Sequence, residues 1–67
     1  MNDISEFLKE KRRSSGLTQT ELAQKAGVGL RFIRDLEQGK ESMRIDKINQ
    51  VLELFGHRLF PVKINKK

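Results

Sequence analysis

The chain has 67 residues, with 14 Lys and Arg, 9 Asp and Glu, no Cys, and a net charge of +5 at pH 7. A chain of this length buries only about 60% of the surface that its unfolded form exposes, so it builds one small domain without a deep two-lobed active site. The lack of Cys excludes disulfides and thiolate metal sites, and His57 alone cannot form a zinc site. We therefore expect a protein that is not an enzyme and binds no cofactor or metal.

The positive charge is concentrated near the C-terminus. Residues 57–67 contain no acid and four bases, Arg58, Lys63, Lys66 and Lys67, whereas residues 1–56 hold ten bases and nine acids. A pI near 10.0 suits a polyanionic partner, although the tail supplies most of the excess charge. The start MNDISEFLKEKRR is no signal peptide and no apolar run is long enough to span a membrane, so we expect a complete, cytoplasmic mature chain.

The apolar residues near the N-terminus recur at helical spacing. Ile4, Phe7 and Leu8 fall at i, i+3 and i+4 among charged residues, which predicts an amphipathic helix over Asp3–Arg13. Gly16 follows and suits the left-handed conformation that ends many helices.

A capping box marks the start of a second helix. Thr18 is followed three residues later by Glu21, so that the hydroxyl and the carboxylate can each bond a free backbone N–H. The predicted helix spans Gln19–Lys25 and ends at Gly27, which allows a tight turn. Its inward side chains are expected to be Leu22, Ala23 and Ala26.

Two more helices are predicted after this turn. The third spans Leu30–Gln38, with Ile33 and Leu36 as its buried pair. The fourth spans Arg44–Phe55, where apolar residues again recur at spacings of three and four before Gly56.

After Gly56 the apolar pattern changes to a period of two, which is typical of a β-strand over residues 58–64. Pro61 restricts such a strand to an edge. The strand either packs beside the helices as an arm or pairs with the same strand of a second chain, and pairing satisfies more backbone groups. This hypothesis assigns dimerisation to residues 57–67, through Leu59, Phe60, Val62 and Ile64.

Two short helices joined through a Gly-containing turn are the arrangement in which a helix-turn-helix presents its second helix to the major groove. The stretch GLTQTELAQKAGVGLRFIRDLEQGK at residues 16–40 resembles the lambda-repressor-like (XRE) helix-turn-helix family, and the flanking helices extend the resemblance over about residues 3–56. The resemblance implies an all-α fold of four to five helices, with residues 1–56 as a domain that binds double-stranded operator DNA.

The short chain with its strand-like tail further resembles the HipB-type antitoxins. These proteins are dimers with paired C-terminal strands, repress their own operon and neutralise a kinase-type toxin. This resemblance implies a homodimeric, nucleoid-associated repressor with a HipA-like toxin kinase as a partner. A stand-alone phage-type or metabolic operon repressor is the alternative.

The family pattern also implies a set of DNA-binding residues. Gln19 would meet a phosphate, and three exposed positions of the third helix would meet base edges. The implied set comprises Thr18, Gln19, Gly29, Leu30, Arg31, Arg34, Asp35, Gln38, Lys40 and Arg44. Arg31 is the strongest reader, because its planar guanidinium can bond O6 and N7 of guanine together. Asp35 either accepts from cytosine N4 or pairs with Arg31, and Leu30 can only touch a thymine methyl.

Arg12 and Glu37 match a structural charge pair that in the family links helix one to the end of helix three. The sequence departs from the family at Gly29, where Ser or Thr commonly caps the third helix, and at Phe32, where a small polar residue is usual. Phe32 either wedges against sugar or methyl groups or packs against a neighbouring helix.

Overall fold

A computed structural model describes residues 3–65 of the chain. Four α-helices form within this range: α1 (Asp3–Ser14), α2 (Gln19–Ala26), α3 (Leu30–Glu37) and α4 (Ile45–Leu54). The predicted helices are confirmed, and each observed end differs from its predicted position by one residue at most. Lys66 and Lys67, which contribute to the basic tail, lie outside the described residues.

A single apolar core lies where the four helices meet. Its buried side chains are Leu8, Leu22, Ala23, Ala26, Ile33, Leu36, Ile48, Val51 and Leu52. Each Leu, Ile or Val buried in this way stabilises the fold by about 1.5–3 kcal/mol. Ile45 follows the apolar pattern of α4 but is 64% exposed, because it is the first residue of that helix and lies beyond the core.

The capping box at the start of α2 is formed as the sequence predicts. The Thr18 hydroxyl accepts from the backbone N–H of Glu21 at 3.0 Å, and the Thr18 N–H donates to Glu21 Oε1 at 2.9 Å. At the other end of α2, Gly27 adopts φ 75°, and its N–H donates to the carbonyl of Ala23 at 3.0 Å. The chain therefore turns sharply from α2 towards α3.

The strand predicted for residues 58–64 is absent from the described chain. Residues 57–65 form neither helix nor strand, because no second extended segment within residues 3–65 pairs with them. Leu59 is used inside the domain: its N–H donates to Asn49 Oδ1 at 2.6 Å and its side chain packs against the core. The three other residues assigned to dimerisation are exposed: Phe60 (74%), Val62 (80%) and Ile64 (65%).

His57 lies at the start of this segment, against α1. Its Nδ1 is 2.7 Å from the carbonyl oxygen of Phe55, and its ring meets the ring of Phe7 edge-on with centroids 4.9 Å apart. The first residues after α4 are thus packed onto the helices. No helix in the described part of the chain is long and apolar enough to cross a membrane.

Candidate nucleic-acid interface

One face of α3 is open to solvent while the opposite face forms part of the core. Ile33 and Leu36 are buried. The exposed or half-buried polar side chains recur at i, i+3, i+4 and i+7, so they share one face of the helix: Arg31, Arg34, Asp35 and Gln38. This face carries two cations and one anion, and it is the surface that α3 can offer to a ligand.

Asp35 lies between two basic side chains on this face. Its Oδ1 is 4.0 Å from Arg31 Nε and its Oδ2 is 3.7 Å from Lys40 Nζ. The Arg31 side chain is 89% exposed, and exposed pairs at such distances contribute little free energy. Arg31 can therefore leave Asp35 for an external acceptor. Asp35 is expected either to accept from cytosine or to pair with Arg31, and in the structure it lies beside Arg31.

The two large apolar side chains near the start of α3 point back towards the domain. Leu30 and Phe32 are both half-buried and pack against the core. Of the two roles considered for Phe32, the structure shows packing against the domain. The partial burial of Leu30 leaves only part of its side chain available to a thymine methyl. Gly29 precedes α3 with φ −75° and ψ 153° and offers no side-chain cap, so the first turn lacks the hydroxyl that is common in the family.

Arg12 and Glu37 are joined across the domain. Arg12 Nε donates to Glu37 Oε2 at 2.6 Å, Arg12 Nη2 donates to Glu37 Oε1 at 3.1 Å, and Arg12 Nη1 donates to the carbonyl of Leu17 at 2.9 Å. The Glu37 side chain is only 4% exposed. Burial raises the pKa of Glu37, but the hydrogen bonds from Arg12 and Gln19 outweigh it and bring the pKa below its usual value of 4.5. The buried carboxylate is therefore ionised at neutral pH.

The position of Gln19 differs in one respect from what the resemblance implies. Its Nε2 donates to Glu37 Oε1 at 3.1 Å, so the side chain ties the start of α2 to the end of α3. The half-buried Gln19 retains a carbonyl oxygen and a second amide hydrogen for other partners. Thr18, its neighbour, is exposed but has both its hydroxyl and its N–H engaged in the capping box.

The loop after α3 carries the remaining bases of the predicted set. The Lys40 side chain is 57% exposed. Arg44 donates to Asp46 through Nε at 3.1 Å and Nη2 at 2.7 Å, and this hydrogen bonding lowers the pKa of Asp46. Each of these two bases has an acidic partner, but the Arg44–Asp46 distance of 2.7 Å is shorter than the Lys40–Asp35 distance of 3.7 Å.

Sequence reasoning missed a contact from α4 to the turn before α3. Gln50 Nε2 donates to the carbonyl of Ala26 at 2.9 Å and to that of Gly27 at 3.1 Å. Periodicity identifies which residues of α4 face the core, but it does not indicate which polar side chain beside them reaches another helix. In the described chain no group of three or more His, Cys, Asp or Glu lies close enough to hold a metal ion.

Comparison with known proteins agrees with this geometry. Residues 8–59 match the helix-turn-helix family. Over 54 residues the chain is 50% identical to the uncharacterized HTH-type transcriptional regulator y4mF of Sinorhizobium fredii, and the alignment covers 81% of this chain and 71% of that relative. The family match contains α2, the turn and α3 together with α4 and most of α1. This chain belongs to the lambda-repressor-like helix-turn-helix family.

Proposed function

We propose that this protein is a sequence-specific repressor of transcription that reads operator DNA with α3. The observation that supports this best is the exposed polar face of α3, which carries the open Arg31 side chain. The opposite face of the helix is buried and holds α3 against the core. An α-helix with its side chains is about 10–12 Å in diameter, and the major groove of B-DNA is about 12 Å wide. The groove therefore has room for α3.

The proposed contacts divide between bases and phosphates. Arg31 donates to O6 and N7 of a guanine and selects one base pair. Arg34, Lys40 and the free amide hydrogen of Gln19 meet phosphates and fix the orientation of the domain. A protein placed on a promoter in this way represses by excluding the polymerase.

We further propose that two copies bind together through their C-terminal segments. Phe60, Val62 and Ile64 are largely exposed in the single chain, and pairing the segments of two copies buries these side chains and satisfies backbone groups at once. A symmetric dimer would place its two α3 helices in successive major grooves, about 34 Å apart. This assigns residues 1–56 to DNA binding and residues 57–67 to dimerisation.

At the finest level we propose an antitoxin of the HipAB-like kind, which acts in the cytoplasm at the nucleoid, autoregulates its operon and neutralises a kinase-type toxin. The small domain and its apolar tail support this proposal. A repressor without a toxin partner is the second candidate. The neighbouring gene separates the two, since an overlapping kinase-like reading frame favours the antitoxin and an integrase or biosynthetic operon favours the stand-alone repressor.

The experiment that tests the proposed function compares two duplexes of equal length, one from the DNA upstream of the protein's own gene and one of random sequence. Binding is titrated from low to physiological salt, since phosphate contacts weaken with salt whereas base contacts preserve the preference. A preference for the upstream duplex that persists at physiological salt supports a sequence-specific repressor. Equal, salt-sensitive binding to both duplexes contradicts it.

A further inference from the structure

We infer that Gln50 of α4 is a positioning residue for α3, because it fixes the turn through which the chain passes from α2 into the helix that reads DNA. The inference rests on the proposed DNA binding for its functional consequence. Gln50 itself lies on a different helix from every residue that we assign to base or phosphate contacts. It acts on DNA only through the direction that it gives to α3.

The geometry of the contact uses the whole donor capacity of the side chain. A side-chain amide nitrogen carries two hydrogens. Gln50 Nε2 directs them to two consecutive carbonyls, that of Ala26 at 2.9 Å and that of Gly27 at 3.1 Å. One side chain from α4 therefore holds two successive peptide groups of the turn.

The backbone of the turn needs donors from outside the turn. The N–H groups of Gly27 and Val28 both point back into α2 and donate to the carbonyl of Ala23 at 3.0 Å. The carbonyls of Ala26 and Gly27 face away, at the C-terminal end of a helix, where carbonyls lack intrahelical partners. Gln50 supplies those partners.

The approach is close as well as directional. A Cβ built on Gly27 would lie 3.1 Å from Gln50 Nε2, and Gly27 has φ 75°, a conformation that side chains disfavour. The Gln50 amide therefore lies so close to Gly27 that a side chain at position 27 would press against it. A shift of either one changes the angle between α2 and α3.

This contact has particular weight because α3 begins without a cap of its own. Gly29 makes no side-chain cap bond, so no hydroxyl fixes the first turn of α3. The far end of α3 is held by Glu37, which accepts from Arg12 and Gln19. Interhelical hydrogen bonds therefore hold the turn that leads into α3, through Gln50, and the end of α3, through Glu37.

The test uses three single variants of the full chain. Gln50→Met keeps the length of the side chain but removes both donors, and Gln50→Lys restores a donor that can reach two carbonyls. Gln24→Met is the matched control, because Gln24 is also exposed but lies on α2 outside the proposed interface. For each variant three quantities are measured: the ratio of affinities for upstream and random duplex, the urea midpoint, and the hydrogen exchange of the Val28 amide.

For Gln50→Met we expect the affinity ratio to fall by about three- to tenfold, the equivalent of about one hydrogen bond, because only part of the cost of the two lost bonds falls on the orientation of α3. Exchange of the Val28 amide should become faster relative to amides of α1. Gln50→Lys should recover the ratio, because it restores a donor to the turn, while its added charge raises the affinity for both duplexes alike and so leaves the ratio unchanged. Gln24→Met should match the wild type in the ratio and in exchange.

Two results would overturn the inference. One is a lower urea midpoint in Gln50→Met with an unchanged affinity ratio, which would make Gln50 a purely stabilising residue. The other is unchanged exchange of the Val28 amide. If the wild type itself shows no preference between the duplexes, the proposed function fails, and the exchange measurement alone then decides whether Gln50 orders the turn.

Discussion

The carboxylate of Glu37 at the end of α3 lies against the guanidinium of Arg12 in α1, with Oε2 2.6 Å from Nε. Its second oxygen accepts from Arg12 Nη2 and from Gln19 Nε2, each at 3.1 Å. Since Gln19 begins α2, one buried carboxylate connects three helices. The end of the helix that we propose to read DNA is therefore fixed to the rest of the domain by charge-assisted hydrogen bonds.

The first prediction concerns the stability that depends on this pair. Arg12→Met removes the guanidinium and leaves the Glu37 carboxylate, only 4% exposed, without its charged partner. Removing one member of a buried pair costs about 3–5 kcal/mol, and since Arg12 is itself partly exposed we expect the lower end, about 3 kcal/mol. The loss is measured as the free energy of unfolding in urea, followed by circular dichroism at 222 nm.

Arg13→Met is the control for this variant, because Arg13 is the adjacent, exposed arginine of α1. Its loss should lower the free energy of unfolding by less than about 1 kcal/mol, through the helix dipole alone. Equal effects of the two substitutions would show that the Arg12–Glu37 pair contributes no more than a surface charge.

The second prediction is a pH dependence that arises from Glu37. Its pKa is lowered in the folded protein from the usual value of 4.5, so the unfolded chain binds the proton more tightly than the folded one. The contribution of Glu37 to stability is therefore fully present above pH 4.5 and is lost as the pH falls through the folded pKa. Urea midpoints of the wild type and of Glu37→Gln are compared from pH 7 to pH 3.

We expect the stability advantage of the wild type over Glu37→Gln to be constant near neutrality and to shrink below pH 4.5. Asp46→Asn serves as the control. The Arg44–Asp46 pair is exposed, so its removal should change the free energy of unfolding little at any pH. A wild-type advantage that is independent of pH would exclude ionised Glu37 as its source.

The sequence predicts the helices of this protein well because the relevant interactions are local. The Thr18–Glu21 capping box and the i, i+3, i+4 apolar spacing depend on residues within one or two turns, and α2 begins where the box places it. The Arg12–Glu37 pair spans 25 residues and was predictable only because a family pattern places those residues together.

The contacts that the sequence did not predict depend on how the helices pack. Gln50 reaches Ala26 over 24 positions, and Gln19 reaches Glu37 over 18, so their partners follow from interhelical angles that no periodicity encodes. The strand over residues 58–64 fails for a different reason. A period of two indicates an extended chain, but a strand also needs a neighbour, and the described chain offers none.

The third prediction tests Arg31 as the base reader. Arg31→Ala removes a guanidinium of α3 that is 89% exposed, without touching the core. We expect a loss of about 1–3 kcal/mol in binding to the upstream duplex and relaxed preference at one base pair, with a much smaller loss on random DNA. Fluorescence anisotropy on both duplexes measures the two losses, with Arg13→Ala as the charge-matched control. Equal loss on both duplexes would make Arg31 a phosphate contact.

The fourth prediction separates the two roles considered for Asp35. Because its oxygens lie 4.0 Å from Arg31 and 3.7 Å from Lys40, we expect Asp35 to restrain these bases in the free protein. Asp35→Asn then removes a negative charge from the DNA-facing surface, so affinity for random duplex should rise and the salt dependence of binding should steepen. A selective loss on the upstream duplex, with random binding unchanged, would instead identify Asp35 as a reader of cytosine.

The fifth prediction concerns the exposed end of the chain. Leu59 packs against the core and is bonded to Asn49, so the segment free to pair with a second copy begins at Phe60. A chain that ends at Leu59 should therefore keep its helix content at 222 nm. We expect it to be monomeric at concentrations where the full chain is dimeric, as measured by light scattering after size exclusion.

This truncation also removes basic residues, so a second variant separates apolar pairing from charge. Phe60→Ser combined with Val62→Ser keeps every Lys and Arg but replaces two side chains that are 74% and 80% exposed. If apolar pairing makes the dimer, this variant is monomeric and loses affinity for a duplex with two half-sites, while a single half-site is bound as by the wild type. A full chain that is already monomeric would contradict the proposed dimer. If instead both altered chains stay dimeric, the C-terminal segment does not form the interface, and the helices must supply it.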